Sequence, residues 1–419
     1  MNGFSGYKCS ICESEYSSIE VVYTCPKCGG NLDVILDYDK IRKTWTPDTI
    51  INTEEQSLWR YSELLPVEDP GFEKTPFHAV GFTPVYQLER LRKSLKLEKF
   101  WLKDEGRNPT ASYKDRASAV VIARAFEIGA ETLVTASTGN AGAALAGMAA
   151  ATGMKAVIFA PKTAPPAKVA QLLIYGAEVI LVDANYDAAF DLTVEAAQEF
   201  GWYCRNTGMN PFTLEGKKTG AFEIWEQLLQ SQNENDKPLC IFVSVGDGNI
   251  ISGLHKGFKE LVTLGWLHTV PRLFGVQSTL SAAVAHAFDA GVERITPVSA
   301  TTIADSISVD LPRDGVRAVR AASQTNGSYI KVSDEEIISA IADLGTHGVF
   351  SEPAGSAAFA GLKEALRTGL VSNQDPVLVV NTGNGLKDVR AATMAAPKAA
   401  IIEPTMNALT KYLNNKVKG

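Results

Sequence analysis

The stretch Leu133–Ala160, LVTASTGNAGAALAGMAAATGMKAVIFA, decides the fold. Its ends, Leu133–Ala136 and Ala156–Ala160, are short continuous apolar runs, the pattern of strands buried on both faces. Between them Ala141–Ala151, rich in alanine and too long for a strand, reads as a helix. Strand, helix and strand in that order make a right-handed crossover unit. The alternation continues outward. Ala167–Tyr175 reads as a helix, Val179–Val182 as a strand, Ala188–Phe200 as a helix and Trp202–Arg205 as a strand. A second set of strands follows at Ile241–Val245, Leu273–Gln277 and Val377–Asn381, with helices between. The expectation is an α/β chain of two lobes, with open, parallel-type sheets flanked by helices.

On the N-terminal side Phe100–Lys103 is strand-like. Residues 37–75 mix Trp45, Leu58 and Trp59 with polar residues and read as a connecting arm with a helix near 54–65. The expected boundaries lie near 36, 115 and 215. They give an N-terminal module 1–36, a first part of the large domain 37–115, a small lobe 116–215 inserted into it, and the remainder 216–419. In such folds ligands sit at the carboxyl ends of the parallel strands.

Composition narrows the class. At 419 residues with 45% apolar and 21% charged residues, the chain is long enough for two or three units. A net charge of −7 argues against a general nucleic-acid binder, which carries a basic face. No apolar run reaches the roughly 20 residues that span a bilayer. The start, MNGFSGYKCSICESEY, lacks the features of a secretory or transit peptide, so a cytoplasmic location is expected.

Four of the six cysteines fall in two knuckles, Cys9-Ser-Ile-Cys12 and Cys25-Pro-Lys-Cys28, separated by twelve residues. Two such turns present four thiolates tetrahedrally, which suits zinc. A site closed by four cysteines has no open coordination position, so a structural Zn2+ is expected. The interleaved Glu13, Glu15, Glu20 and Asp33 weigh against nucleic-acid binding by this zinc-ribbon-like module. Cys204 and Cys240 read as buried small hydrophobes.

Five further motifs carry chemistry. Gly106-Arg-Asn-Pro-Thr-Ala-Ser-Tyr-Lys114-Asp-Arg116 places Lys114 at a helix start, where the helix dipole disfavours a positive charge and so favours a neutral, nucleophilic amine. Ser137-Thr138-Gly139-Asn140 follows a strand and opens a helix, whose free N–H groups bind anions. Ser244-Val-Gly246-Asp247-Gly248-Asn249-Ile250 is a second such turn, suited to phosphate. Asp247 fits there only with its carboxylate turned outward. Asn381-Thr382-Gly383-Asn384-Gly385 ends another buried strand, and Glu352-Pro-Ala-Gly355-Ser356 is a sharp acidic turn. Together they fit one ligand with a phosphate, a carboxylate and an aldehyde.

From about residue 75 to 390 these motifs resemble, in the same order, those of the threonine synthase family, whose NPTGSFKDR is similar to NPTASYKDR here. The resemblance implies a fold type II, tryptophan-synthase-β-like lyase with pyridoxal 5'-phosphate on Lys114 as a Schiff base. It implies that Asn140 meets the cofactor's 3'-oxygen and that Gly246, Asp247, Gly248, Asn249 and Ile250 cradle its phosphate. Thr382 would face the pyridine nitrogen, and a hydroxyl there, unlike a carboxylate, favours elimination and replacement. Ser137 and Thr138 would hold the substrate carboxylate. Asn210–Thr219, NPFTLEGKKT, resembles NPYRLEGQKT, but Thr213 stands for Arg and Lys217 for Gln. Ala111, Asp247 and Asn384 stand for Gly, Asn and His. Lost arginine at 213 leaves the substrate phosphate to Lys217, Lys218 or Arg205. The implied reaction converts O-phospho-L-homoserine and water to L-threonine and phosphate in a homodimer. The alternatives are a cysteate synthase or a threonine/serine dehydratase. No nucleic-acid or membrane partner is expected.

Overall fold

The computed structural model describes residues 3–417 except 21, 185, 232, 234 and 235. Among the described residues the strands form three sheets. The first is antiparallel: β1 (Phe4–Cys9) lies between β2 (Glu15–Tyr16) and β3 (Leu32–Leu36). Next in the chain, β4 (Val85–Tyr86) pairs antiparallel with β5 (Phe100–Asp104). The strands β6 (Thr132–Ala136), β7 (Lys155–Pro161), β8 (Glu178–Val182) and β9 (Tyr203–Cys204) make a parallel sheet in the order β8-β7-β6-β9. Finally β10 (Cys240–Ser244), β11 (Arg272–Ser278), β12 (Ser328–Val332) and β13 (Val377–Asn381) join β5 and β4 in the order β12-β11-β10-β13-β5-β4. Only the β4 edge of that sheet is antiparallel.

The central strands β10 and β13 are largely apolar runs, as expected where helices cover both faces. Every residue of β10 and β13 is buried. The helices Asn140–Thr152, Pro166–Ile174 and Tyr186–Phe200 stand within two residues of the segments expected from sequence.

Several expectations change. The helix expected near 54–65 is a 3-10 turn, Leu58–Leu64, kinked at Tyr61, with Ser57 Oγ accepting from Trp59 N at 3.2 Å. Leu58, Trp59 and Tyr61 are core residues, so this part of the expected connecting arm is packed interior. The strand expected at Trp202–Arg205 pairs only over Tyr203–Cys204, and Arg205 N–H continues it with one bond to Val134 O at 2.8 Å. The helix Phe212–Ile224 and the strand β12 had no sequence expectation.

Candidate active site

The carboxyl ends of β5, β6, β10 and β13 converge on one pocket. Adjacent strands β10 and β13 bring Ser244 Oγ within 3.4 Å of Thr382 Oγ1. The loop after β5 is knitted to the loop after β13. Tyr113 N donates to Thr382 O at 2.9 Å and Asn384 N to Ala111 O at 3.1 Å. The acidic turn joins them through Glu352 N, which donates to Gly383 O at 3.1 Å. Ala111 sits in the left-handed region at φ 66°, a conformation that glycine accepts without strain. That accounts for the glycine in the sequences it resembles.

Lys114 is the first residue of the helix Lys114–Glu127 and lines the pocket. Its two neighbours anchor it. Asp115 accepts from Thr110 N at 2.6 Å and from the Thr110 hydroxyl. Arg116 is fully buried, with Nε 2.8 Å from Glu105 Oε2, Nη1 2.5 Å from Glu223 Oε1 and Nη1 2.9 Å from Thr219 Oγ1. Lys103 Nζ completes this buried cluster 2.9 Å from Glu223 Oε2. Four ionic groups with nearly all donors used form a rigid base. The Lys114 amine itself makes no hydrogen bond or ion pair among the described residues. Burial lowers its pKa, Asp247 and Glu352 oppose that, and Arg205 adds to it. Burial thus leads where sequence analysis looked to the helix dipole.

Asn140, Gly246, Asp247, Gly248, Asn249, Ile250 and Thr382 line the same pocket as Lys114. The helix Asn249–Thr263 starts at the loop, with Gly248 at φ 92° as its cap. Among the described residues the N–H groups of 246–250 have no backbone acceptor, and all five residues line the cavity, an arrangement suited to an anion. A Cβ on Gly246 would lie 2.9 Å from Ile307 Cα, and one on Gly248 2.8 Å from Asp314 O. Bare backbone is therefore required. Asp247 Oδ1 accepts from Arg313 N at 3.4 Å, the outward turn its position demanded. Open amides, two hydroxyls and an unpartnered amine match the phosphate, ring and aldehyde of pyridoxal phosphate.

An outer cleft of about 340 Å³ opens on this pocket and shares Asn140, Ser306, Glu352 and Ala354 with it. Thr138 lines the cleft, whereas Ser137 turns back to accept from Gly139 N at 3.2 Å. Two cations face it from different elements. Lys168 Nζ lies 2.5 Å from Asp305 Oδ2, and Lys387 Nζ lies 3.5 Å from Gln171 Oε1.

Lys217 and Lys218 separate. Lys217 Nζ donates to Asn249 Oδ1 at 2.6 Å beneath the glycine loop, and burial with Lys114 and Arg205 holds its pKa far down. Lys218 is not at the site, contrary to expectation. Its ammonium is buried 2.6 Å from Glu215 Oε2 and 2.9 Å from Glu260 Oε2. Adjacent residues on a helix point about 100° apart, so both cannot face one ligand.

Two further contributions complete the pocket: Glu352, whose motif stood out in the sequence without a role, and a segment that no motif marked. Glu352 accepts from Asn140 Nδ2 at 2.7 Å inside the pocket, and burial raises its pKa to about 7. Its place in the acidic turn 352–356 was the available signal. Ser306 and Ile307 also line the pocket, from a segment with no periodic pattern to mark them.

Away from the pocket, the sulfurs of Cys9, Cys12, Cys25 and Cys28 all lie within 4.8 Å of one another. Cys9–Cys28 and Cys12–Cys25 are each 3.5 Å apart. That is close to the roughly 3.8 Å edge of a tetrahedron with 2.3 Å zinc–sulfur bonds.

A family model described as pyridoxal-phosphate dependent enzyme matches residues 77–383. The threonine synthase of Methanocaldococcus jannaschii is 37% identical over 409 residues, covering 97% of this chain and 98% of that protein. That of Methanosarcina acetivorans is 35% identical over 414 residues, covering 98% and 99%. Among solved structures, the processed threonine deaminase isoform 2 of Solanum lycopersicum superposes with a TM-score of 0.65 at 22% identity, over 78% of this chain and 86% of that one. The last likeness carries the fold alone. The chain belongs to the threonine synthase family of pyridoxal-phosphate-dependent enzymes.

Proposed function

We propose that the protein is a threonine synthase that converts O-phospho-L-homoserine and water to L-threonine and phosphate. The observation that carries it is end-to-end similarity to proteins of that name, at 35–37% identity. The pocket geometry supports it. Pyridoxal phosphate, when bound, supplies a ring that stabilises negative charge on substrate carbons. Lys114 would be the amine that holds it, and the same amine would take and return protons at the substrate. Its lowered pKa leaves a larger neutral fraction near pH 7. The amides of 246–250 would hold the phosphate, Asn140 Nδ2 the 3'-oxygen, and Thr382 Oγ1 would serve the ring nitrogen. Thr138 and the adjoining N–H groups hold the substrate carboxylate, with Ser137 bracing that loop. Lys168 and Lys387 offer positive charge to the leaving phosphate, with Lys217 behind the cradle.

A second reading, a serine/threonine dehydratase, is favoured by one observation. Thr213 brings a hydroxyl, bonded to Asn210 O at 2.8 Å, to a position where an arginine would grip phosphate. A panel of O-phospho-L-homoserine, O-phospho-L-serine, serine and threonine separates the two. Phosphate and threonine from the first substrate support the synthase; ammonia from the last two, with no phosphate release, overturns it.

The four cysteines hold a structural Zn2+ in this proposal. The division at 36, 115 and 215 belongs to it too. The sheet β6–β9 lies within 116–215, and the six-stranded sheet draws on 37–115 and 216–419. A cytoplasmic homodimer is part of the same proposal. Among the described residues no helix is long and apolar enough to cross a membrane.

A further inference from the structure

The four-cysteine module lies against the back of the glycine cradle. Phe4 and Tyr7 pack edge-on against Phe212, at 5.9 and 6.4 Å between centroids. Lys256 Nζ, in the helix that the cradle begins, donates to Val34 O at 2.8 Å. Arg320 Nη1 donates to Ser10 O at 2.5 Å. One contact runs deeper. Arg317 Nη1 donates to Asp33 Oδ1 at 2.8 Å and to Leu32 O at 3.3 Å, both in β3. Its Nε lies 2.5 Å from Asp314 Oδ1. Asp314 Oδ2 in turn accepts from Asn249 Nδ2 at 2.7 Å, and Asn249 Oδ1 accepts from Lys217 Nζ at 2.6 Å.

The chain of contacts runs carboxylate, guanidinium, carboxylate, amide, amine. Arg317, Asp314, Asn249 and Lys217 are buried. A carboxylate only accepts, so Asp314 takes the Asn249 NH2 group and leaves the Asn249 oxygen to accept from the Lys217 amine. Asp314 also grips the loop through its backbone. Its N–H donates to Asp247 O at 2.9 Å, and its carbonyl packs against Gly248. The residue that orients the cradle is therefore held from behind by β3.

We propose that Asp33 and Arg317 are positioning residues through which the N-terminal module sets the geometry, and so the affinity, of the cofactor-phosphate cradle. This rests on the assignment of 246–250 as that cradle. Neither residue touches the cofactor; they act through Asp314 and Asn249. Substitution of an outer residue that orients a ligand-holding group commonly costs about tenfold or more in affinity.

The test titrates pyridoxal phosphate into cofactor-stripped full-length protein and records the 31P chemical shift of the bound phosphate. Asp33→Asn and Arg317→Lys are expected to raise Kd about tenfold and to move the 31P resonance. Asp33→Glu should recover most of the affinity. Glu293→Gln removes the Arg320–Glu293 pair on the same flank and should change neither readout. Gly248→Val tests the underlying assignment and should abolish binding. Should Gly248→Val bind normally, the cradle assignment falls and the proposal with it. Should Gly248→Val fail while Asp33→Asn and Arg317→Lys keep native Kd and 31P shift, the cradle stands and the proposal is overturned. A fall in Tm without movement of Kd or shift also overturns it, because the contact would then be structural only.

Discussion

Gly216→Ala tests whether the lysine's placement depends on close contact between two helices. Gly216 lies on the helix Phe212–Ile224, which packs against the helix Lys114–Glu127. A Cβ at 216 would stand 2.1 Å from Arg116 O and 2.7 Å from Ala117 Cα, whereas ordinary contact begins at 3.4 Å. The backbones must separate by the difference, 3.4 − 2.1 = 1.3 Å. The strain cannot relax by sliding Arg116, whose guanidinium is fastened to Glu105 and Glu223. Moving the first turn of that helix moves Lys114, two residues before Arg116. A misplacement of about 1 Å at a reacting group costs on the order of 100-fold in rate, or about 2.7 kcal/mol of barrier. Overpacking should also cost about 1–3 kcal/mol of stability. The assay is kcat/KM for phosphate release from O-phospho-L-homoserine, with thermal unfolding alongside. Gly345→Ala, where nothing lies within 4 Å, is the control and should be close to neutral. Activity within threefold of the parent at unchanged Tm would refute the idea that this glycine contact sets the position of Lys114.

Lys114→Ala should abolish turnover while leaving circular dichroism and Tm near the parent's, and borohydride reduction of the parent should tag only the peptide carrying Lys114. Ala111→Gly relieves a left-handed alanine at φ 66° and should stabilise by about 1 kcal/mol, read as a higher urea midpoint. Glu352 holds its proton more tightly folded, at about 7 against 4.5 unfolded, so its contribution is full below pH 4.5 and lost as pH rises through 7. That loss is at most about 3 kcal/mol in the cofactor-free protein, and Glu352→Gln should flatten the stability profile between pH 5 and 7. Chelation that strips metal from Cys9, Cys12, Cys25 and Cys28 should lower Tm by several degrees while kcat, measured at saturating cofactor, stays within twofold; a loss of kcat at unchanged Tm would contradict a structural metal.

The parallel core was legible because its strands carry their own signature. A strand covered on both faces, such as Val377–Asn381, is apolar without interruption, and a glycine- or hydroxyl-rich turn marks where it ends. The helix Phe212–Ile224 defeated the same method for the converse reason. All of its residues are buried, the charged ones included, so polar and apolar positions do not mark an outer and an inner face. Its charges, Glu215, Lys217, Lys218 and Glu223, look like a solvated face but are satisfied inside by Lys256, Asn249, Glu260 and Arg116. Only the fold tells a buried ion pair from an exposed one.

The same distinction governs the site. Groups offered by the loops after strands could be found one motif at a time: Asn140, the loop 246–250 and Thr382 each follow a strand within four residues, Lys114 follows β5 by ten, and ligands in such folds sit at the carboxyl ends of parallel strands. The groups that hold them in place follow no such rule. Asp314 and Arg317 lie some 65 residues beyond Asn249, in a segment with no strand to announce it, and Asp33 comes from the other end of the chain. Their partnership depends on β3 lying beside the helix Gly315–Ser323, which Asp314 caps and which carries Arg317, and that is a property of the assembled interior. Local sequence therefore discloses what can touch a ligand, while the restraint on those groups is written in long-range pairs such as Asp33 with Arg317, 284 residues apart. Such pairs have no local pattern to read, so substituting them is the direct way to learn whether they set the cradle or merely fasten the module to it.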